Sequence, residues 1–176
     1  KGKTLGIQAY GNVGRLVAAH AKSFGMKIMA FDPFVPAEKI QSEGVEVAAS
    51  LEDLYAKSDF VSLHIPATNE TKNSIGYALL SKMPKGGCLV NTARKEVINE
   101  PELVKVLEER QDLKYITDIA ATNQAELNEK FGKRVFATPK KMGAETAEAN
   151  VNAGVAAANQ ICDFFATGNR KFQVNK

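Results

Sequence analysis

The turn Ala9-Tyr10-Gly11-Asn12-Val13-Gly14 has the residue types and spacing to hold a phosphate. In a dinucleotide-binding unit one glycine permits the tight turn, one lets the pyrophosphate approach the backbone, and one lets helix and strand pack closely. The first amides of the helix then face the anion. Gly11 and Gly14 hold the second and third places, Asn12 and Val13 lie between them, and Ala9 stands at the first. If that first place requires a positive φ, the Cβ of Ala9 costs about 1 kcal/mol; otherwise it is harmless. Asp32 follows 18 positions beyond Gly14, at the end of the next apolar run, where a carboxylate accepts hydrogen bonds from ribose hydroxyls. The same charge repels a 2′-phosphate, and no arginine follows it directly, so the pattern points to NAD rather than NADP. The competing reading is a glycine-rich loop of a flavodoxin-like fold, with Asp32 a turn residue. Arg94 is the second chemical feature. It lies just past a predicted strand, at the edge where open α/β sheets bind ligands. Its planar fork suits a carboxylate bidentately, and its charge polarises an adjacent carbonyl; a surface arginine in a salt bridge is the alternative.

These residues need a scaffold, and the chain supplies one in alternating pieces. Strands are predicted at Thr4 to Ala9, Lys27 to Phe31, Val45 to Val47, Phe60 to His64, Cys88 to Thr92, Tyr115 to Thr117 and Val135 to Ala137. Helices are predicted from Val13 to Phe24, ended by Gly25, and near Ala37 to Glu43. Others run from a Ser50 cap to about Lys57, near Tyr77 to Lys82, over Pro101 to Glu109 behind an Asn99 cap, and from about Glu145 to Phe165 before Gly168. Strands separated by helices in this rhythm pair in parallel through crossovers. The expected architecture is α/β, a Rossmann-type doubly wound parallel sheet of six or seven strands, forming one domain over residues 1–176.

The composition excludes several classes. The chain has 176 residues, 44% hydrophobic and 24% charged, with a net charge of +3. No basic run or interleaved aromatic stripe suggests nucleic acid. No apolar stretch suggests a membrane span. Cys88 and Cys162 have no metal-ligand spacing, so no metal is expected, and both read as reduced thiols of a cytoplasmic protein. A chain that begins with Lys1 and enters its first strand at once reads as a piece of a longer protein.

Ordered motifs sharpen this reading: Lys3-Thr-Leu-Gly-Ile-Gln-Ala-Tyr-Gly-Asn-Val-Gly-Arg, the run Ser-Phe-Gly-Met-Lys-Ile-Met-Ala-Phe-Asp-Pro ending at Pro33, and Asp59-Phe-Val-Ser-Leu-His-Ile-Pro66. Leu89-Val-Asn-Thr-Ala-Arg94, the segment around Asp118, Thr138-Pro139 and Met142-Gly-Ala-Glu-Thr-Ala-Glu-Ala-Asn150 follow. Along nearly its whole length the chain resembles the coenzyme domain of the D-2-hydroxyacid dehydrogenases, and within them the members that oxidise 3-phosphoglycerate, the first step of serine biosynthesis. The resemblance implies an arginine, here Arg94, on the substrate carboxylate. It implies Asp118, the backbone near Thr92, and Gly143 with Ala144 at the nicotinamide, and Ile65 and Pro66 at the adenosine end, where His64 lines the adenine pocket. It also implies a homodimer built largely on the segment from Asn99 to Leu113.

Two positions depart from the family pattern. The family's glutamate, five residues after the aspartate, is here Asn123, and the histidine before a hydrophobic-Gly-Ala step is here Lys141. Lys140 is one extra residue after Pro139, so the register of the two lysines stays open. A subset of family members is similar, with lysine in the acid/base role. A lysine base must be lowered toward neutrality, which a neighbouring glutamate opposes and neutral Asn123 does not. The bland alternative is that both lysines only bind phosphate or solvent. The family's second domain, which closes over substrate, is essentially missing from the chain, so little turnover is expected of this piece alone. Reduction of glyoxylate or hydroxypyruvate, and noncatalytic NAD sensing, remain the rival functions.

Overall fold

The computed structural model describes residues 1–141, 143 and 146–174. They fall into two compact units, Lys1–Lys140 and Lys141–Lys176.

In the first unit, β1 (Thr4–Gln8), β2 (Lys27–Phe31), β3 (Glu46–Val47), β4 (Phe60–Leu63), β5 (Cys88–Asn91), β6 (Lys114–Thr117) and β7 (Val135–Ala137) form one parallel sheet, in the order β3-β2-β1-β4-β5-β6-β7. This is the dinucleotide-binding order, with its crevice where the direction of winding reverses, between β1 and β4. Residues alternate faces along each strand. Leu5, Ile7, Ile28 and Ala30 form one core with Ala18 and Ala21 of α1 (Asn12–Ser23) and Ile40 of α2 (Ala37–Ser42). Met29, Val61, Leu63, Leu89 and Tyr115 face the opposite way. They pack with α3 (Leu51–Lys57), α4 (Tyr77–Leu80), α5 (Glu100–Glu109) and α6 (Gln124–Phe131). On the α1 side of β6 and β7, Ile116 and Phe136 remain exposed within this unit.

The elements begin and end where local chemistry directs. Gly25 takes a positive φ after α1, and the amides of Gly25 and Met26 turn back onto the carbonyls of Lys22 and Ala21, a Schellman closure. Ser50 Oγ accepts from the Asp53 amide and Asn99 Oδ1 from that of Glu102, as the caps predicted. The helix α6 was not anticipated. Its sequence Gln-Ala-Glu-Leu-Asn-Glu-Lys-Phe buries only Leu127 and Phe131, too narrow a stripe to stand out from a polar loop.

The second unit is dominated by α7 (Ala147–Thr167), capped by Thr146 Oγ1 on the Ala149 amide and closed by Gly168 in the left-handed region. It exposes Val151, Val155, Ile161 and Phe165. A cavity of about 560 Å³ between Phe164, Arg170 and Phe172 contains none of the candidate site residues. No helix among the described residues is long and apolar enough to cross a membrane.

Candidate coenzyme and active site

Sheet register lines up the strand ends. Phe31 pairs with Gln8, Gln8 with Leu63, Leu63 with Asn91, Asn91 with Thr117 and Thr117 with Ala137. The residues immediately beyond that row are Asp32, Ala9, His64, Thr92, Asp118 and Thr138. Most of the first unit's candidates therefore lie within a few residues of one rim, because all the strands but β3 stop at the same level.

At β1 the rim carries strain. Ala9 has φ +76°, so the first place of the glycine pattern does require the left-handed region and the alanine pays for it. Gly14 is buried, and a Cβ there would lie 2.4 Å from the carbonyl oxygen of Ala9, an impossible approach. Gly11 is the opposite case: its backbone is extended and a Cβ would meet nothing within 4 Å. Open space beside Gly11, at the start of a twelve-residue helix whose first amides lack intrahelical partners, fits a pyrophosphate. Asn12 and Val13, at the start of α1, are exposed there, Val13 despite its place among the apolar residues of that helix. The Asp32 carboxylate is held by two backbone donors, the amides of Tyr10 at 2.7 Å and Phe34 at 2.8 Å, leaving lone pairs for ribose hydroxyls.

At β4, His64 Nε2 lies 3.0 Å from Ser62 Oγ, and burial pushes the imidazole below its ordinary pKa. Ile65 is buried and Pro66 exposed. Beneath them Tyr55 Oη donates to Gln8 Oε1 at 2.8 Å, a buried polar contact between α3 and β1 that sequence reasoning did not foresee.

At β5, the Arg94 turn is anchored by Asn91. Its fully buried carboxamide accepts from the Ala93 amide at 3.0 Å and donates to the Arg94 carbonyl at 2.9 Å and to Tyr115 Oη at 3.4 Å. Its backbone carbonyl accepts from Thr117 Oγ1 at 2.8 Å, tying the arginine turn to the Asp118 side. Arg94 is exposed and donates one bond from Nη1 to the Ala93 carbonyl at 2.7 Å, leaving most of its fork available. Thr92 is exposed beside it.

At β6, Asp118 Oδ1 is buried without a hydrogen-bond partner among the described residues, and so is Asn123 Oδ1 at the head of α6. Asn123 stands at the N-cap yet makes no capping bond. A buried unsatisfied acceptor costs about 1–3 kcal/mol unless a donor arrives, and the Asp118 oxygen fits the N–H of a carboxamide. Of the lysine pair, Lys140 is exposed and Lys141 half-buried; Thr138 Oγ1 donates to the Lys140 carbonyl at 2.9 Å. Lys141 and the exposed Gly143 belong to the second unit, and Ala144 lies outside the described residues. Among the described residues no cluster of His, Cys, Asp and Glu could hold a metal ion.

Residues 1–141 match the family described as D-isomer specific 2-hydroxyacid dehydrogenase, NAD binding domain. The chain is 36% identical over 161 residues to a D-3-phosphoglycerate dehydrogenase of Methanocaldococcus jannaschii, covering 91% of this chain and 30% of that protein. It is 37% identical over 164 residues to a hydroxypyruvate reductase of Thermotoga maritima, covering 91% of this chain and 52% of that protein. A solved structure of NAD⁺-bound 3-phosphoglycerate dehydrogenase from Entamoeba histolytica is 50% identical, with a TM-score of 0.88, and the match covers 100% of this chain and 56% of that one. The chain thus spans from 30% to 56% of the length of these relatives.

Proposed function

The chain belongs to the D-isomer specific 2-hydroxyacid dehydrogenase family, as its NAD binding domain, and from that premise we propose that it is the coenzyme half of a homodimeric, cytoplasmic enzyme that oxidises 3-phosphoglycerate to 3-phosphohydroxypyruvate. The observation that carries the substrate assignment is the 50% identity, over the full chain, to the Entamoeba phosphoglycerate dehydrogenase.

In this reading the first amides of α1 hold the pyrophosphate, Asp32 the adenosine ribose, and Ile65 with Pro66 the adenine side. Asp118, the Thr92 backbone, Gly143 and Ala144 receive the nicotinamide, and the unpartnered Asp118 oxygen orients its carboxamide. NAD held there would supply the hydride acceptor for the substrate's C2. Arg94 holds the substrate carboxylate with two parallel bonds, fixing C2 against the rim and stabilising charge on its oxygen. Lys141 takes the C2 hydroxyl proton during oxidation and returns it during reduction.

Two experiments on the full-length enzyme test this. Lys141→Ala should lower turnover by about a hundredfold or more while NADH still binds, whereas Lys140→Ala should not; the reverse result moves the role to Lys140. Absorbance of NADH should report turnover with 3-phosphoglycerate and phosphohydroxypyruvate. Turnover with hydroxypyruvate or glyoxylate alone would move the chain to the second reading, a reductase, which the Thermotoga relative favours. Turnover with none would leave an NAD sensor.

A further inference from the structure

Glu43, just after α2, makes contacts on both sides of the glycine turn. Its Oε2 accepts from Tyr10 Oη at 2.9 Å and from Arg15 Nε at 3.0 Å, and Arg15 Nη2 pairs with its Oε1. Lys22 Nζ donates to its backbone carbonyl, fixing the same residue to α1. Tyr10 lies one residue before Gly11 and Arg15 one residue after Gly14, so a single carboxylate grips both ends of the four-residue turn. Tyr10 is 2% exposed, and its own amide reaches Asp32, so one side chain links the turn, the ribose-binding acid and Glu43. Burial and the Glu43 carboxylate push the Tyr10 hydroxyl up to about 12, so it remains a donor.

The turn needs such a grip. Ala9 stands at φ +76°, where glycine is at ease and alanine is not. A strained residue keeps its conformation only when its surroundings over-determine it. The carbonyl of Ala9 is also what Gly14 packs against, so relaxation at Ala9 would shift the start of α1.

We propose that Glu43 is a positioning residue for the coenzyme: by holding Tyr10 and Arg15 together it keeps the turn in the conformation that presents the first amides of α1 to the pyrophosphate, against the preference of Ala9. The inference rests on the assignment of the pyrophosphate to this turn.

The test is a double-mutant cycle in the full-length enzyme, read by NADH fluorescence titration with thermal unfolding alongside. Glu43→Ala should weaken NADH binding about fivefold, the size of the left-handed penalty of about 1 kcal/mol on one alanine. In an Ala9→Gly background, where the turn needs no restraint, the same substitution should weaken it about twofold or less. A general loss of stability would not depend on residue 9. Unchanged affinity in Glu43→Ala, or equal losses in both backgrounds, overturns the inference. Should Glu43→Ala fail to fold, Tyr10→Phe and Glu43→Gln make the same comparison with smaller losses. Gly11→Ala separates the two readings. If it loses NADH while Glu43→Ala keeps it, only this inference falls; if both keep it, the turn assignment falls as well.

Discussion

Gly11 and Gly14 are three residues apart and should respond to the same added methyl group in opposite ways. Alanine at position 11 meets open space in an extended backbone, so the fold should keep its melting temperature while NADH affinity drops. Alanine at position 14 collides with the Ala9 carbonyl, so destabilisation by about 1–3 kcal/mol is expected, typical of overpacking. Thermal unfolding and NADH titration of both variants check the pair; equal behaviour would mean that the pyrophosphate does not use this turn. Part of this was legible in the sequence. The spacing of Gly11, Gly14 and Asp32 singles out the turn as a candidate site, and the alanine at position 9 raises the question of strain. Only the backbone angle answers it. The Glu43 contacts were not legible at all, since 33 residues separate Tyr10 from its partner and nothing local in either segment announces the other.

At the scale of an element, β5 and the turn behind it place Arg94 through one buried side chain. Asn91→Ala should cost about 1–3 kcal/mol, because the Ala93 amide and the Arg94 carbonyl lose their partner. In the full-length enzyme it should raise KM for the oxo acid more than it weakens NADH; an equal effect on both would assign Asn91 to the core alone. The end of β4 carries a pH dependence. Burial holds folded His64 below the ordinary imidazole value of 6.5. Above that pH both folded and unfolded chains are neutral at this position and it has no effect. As pH falls below about 6.5 the unfolded chain takes up the proton first, so stability is lost until the folded pKa is passed. Denaturant unfolding between about pH 7.5 and about pH 5 should show a shallower loss in His64→Gln than in the parent chain. The elements themselves were well marked in sequence where apolar period and caps agreed, as for β2, β7, α1 and the Ser50 and Asn99 caps. They were not where polar residues dominate, as in α6, whose Leu127 and Phe131 are four apart but stand alone.

For the molecule as a whole, the registered row of strand ends lets residues beyond the rim differ without disturbing the core. An insertion inside a strand moves every later side chain to the wrong face of the sheet. One placed after the strand moves nothing in the core. Lys140, the extra residue, falls beyond β7, which ends at Ala137. Removing one lysine of the pair should leave the unfolding temperature within about 2 °C of the parent, yet change turnover strongly, since it shortens by one residue the segment between Pro139 and Met142. A large loss of stability would show that the doubled lysine is part of the scaffold. The rim thus behaves as a set of sockets cut at one height: the sheet guarantees where each begins, and the identity of the plug can be revised by evolution or by design without renegotiating the fold.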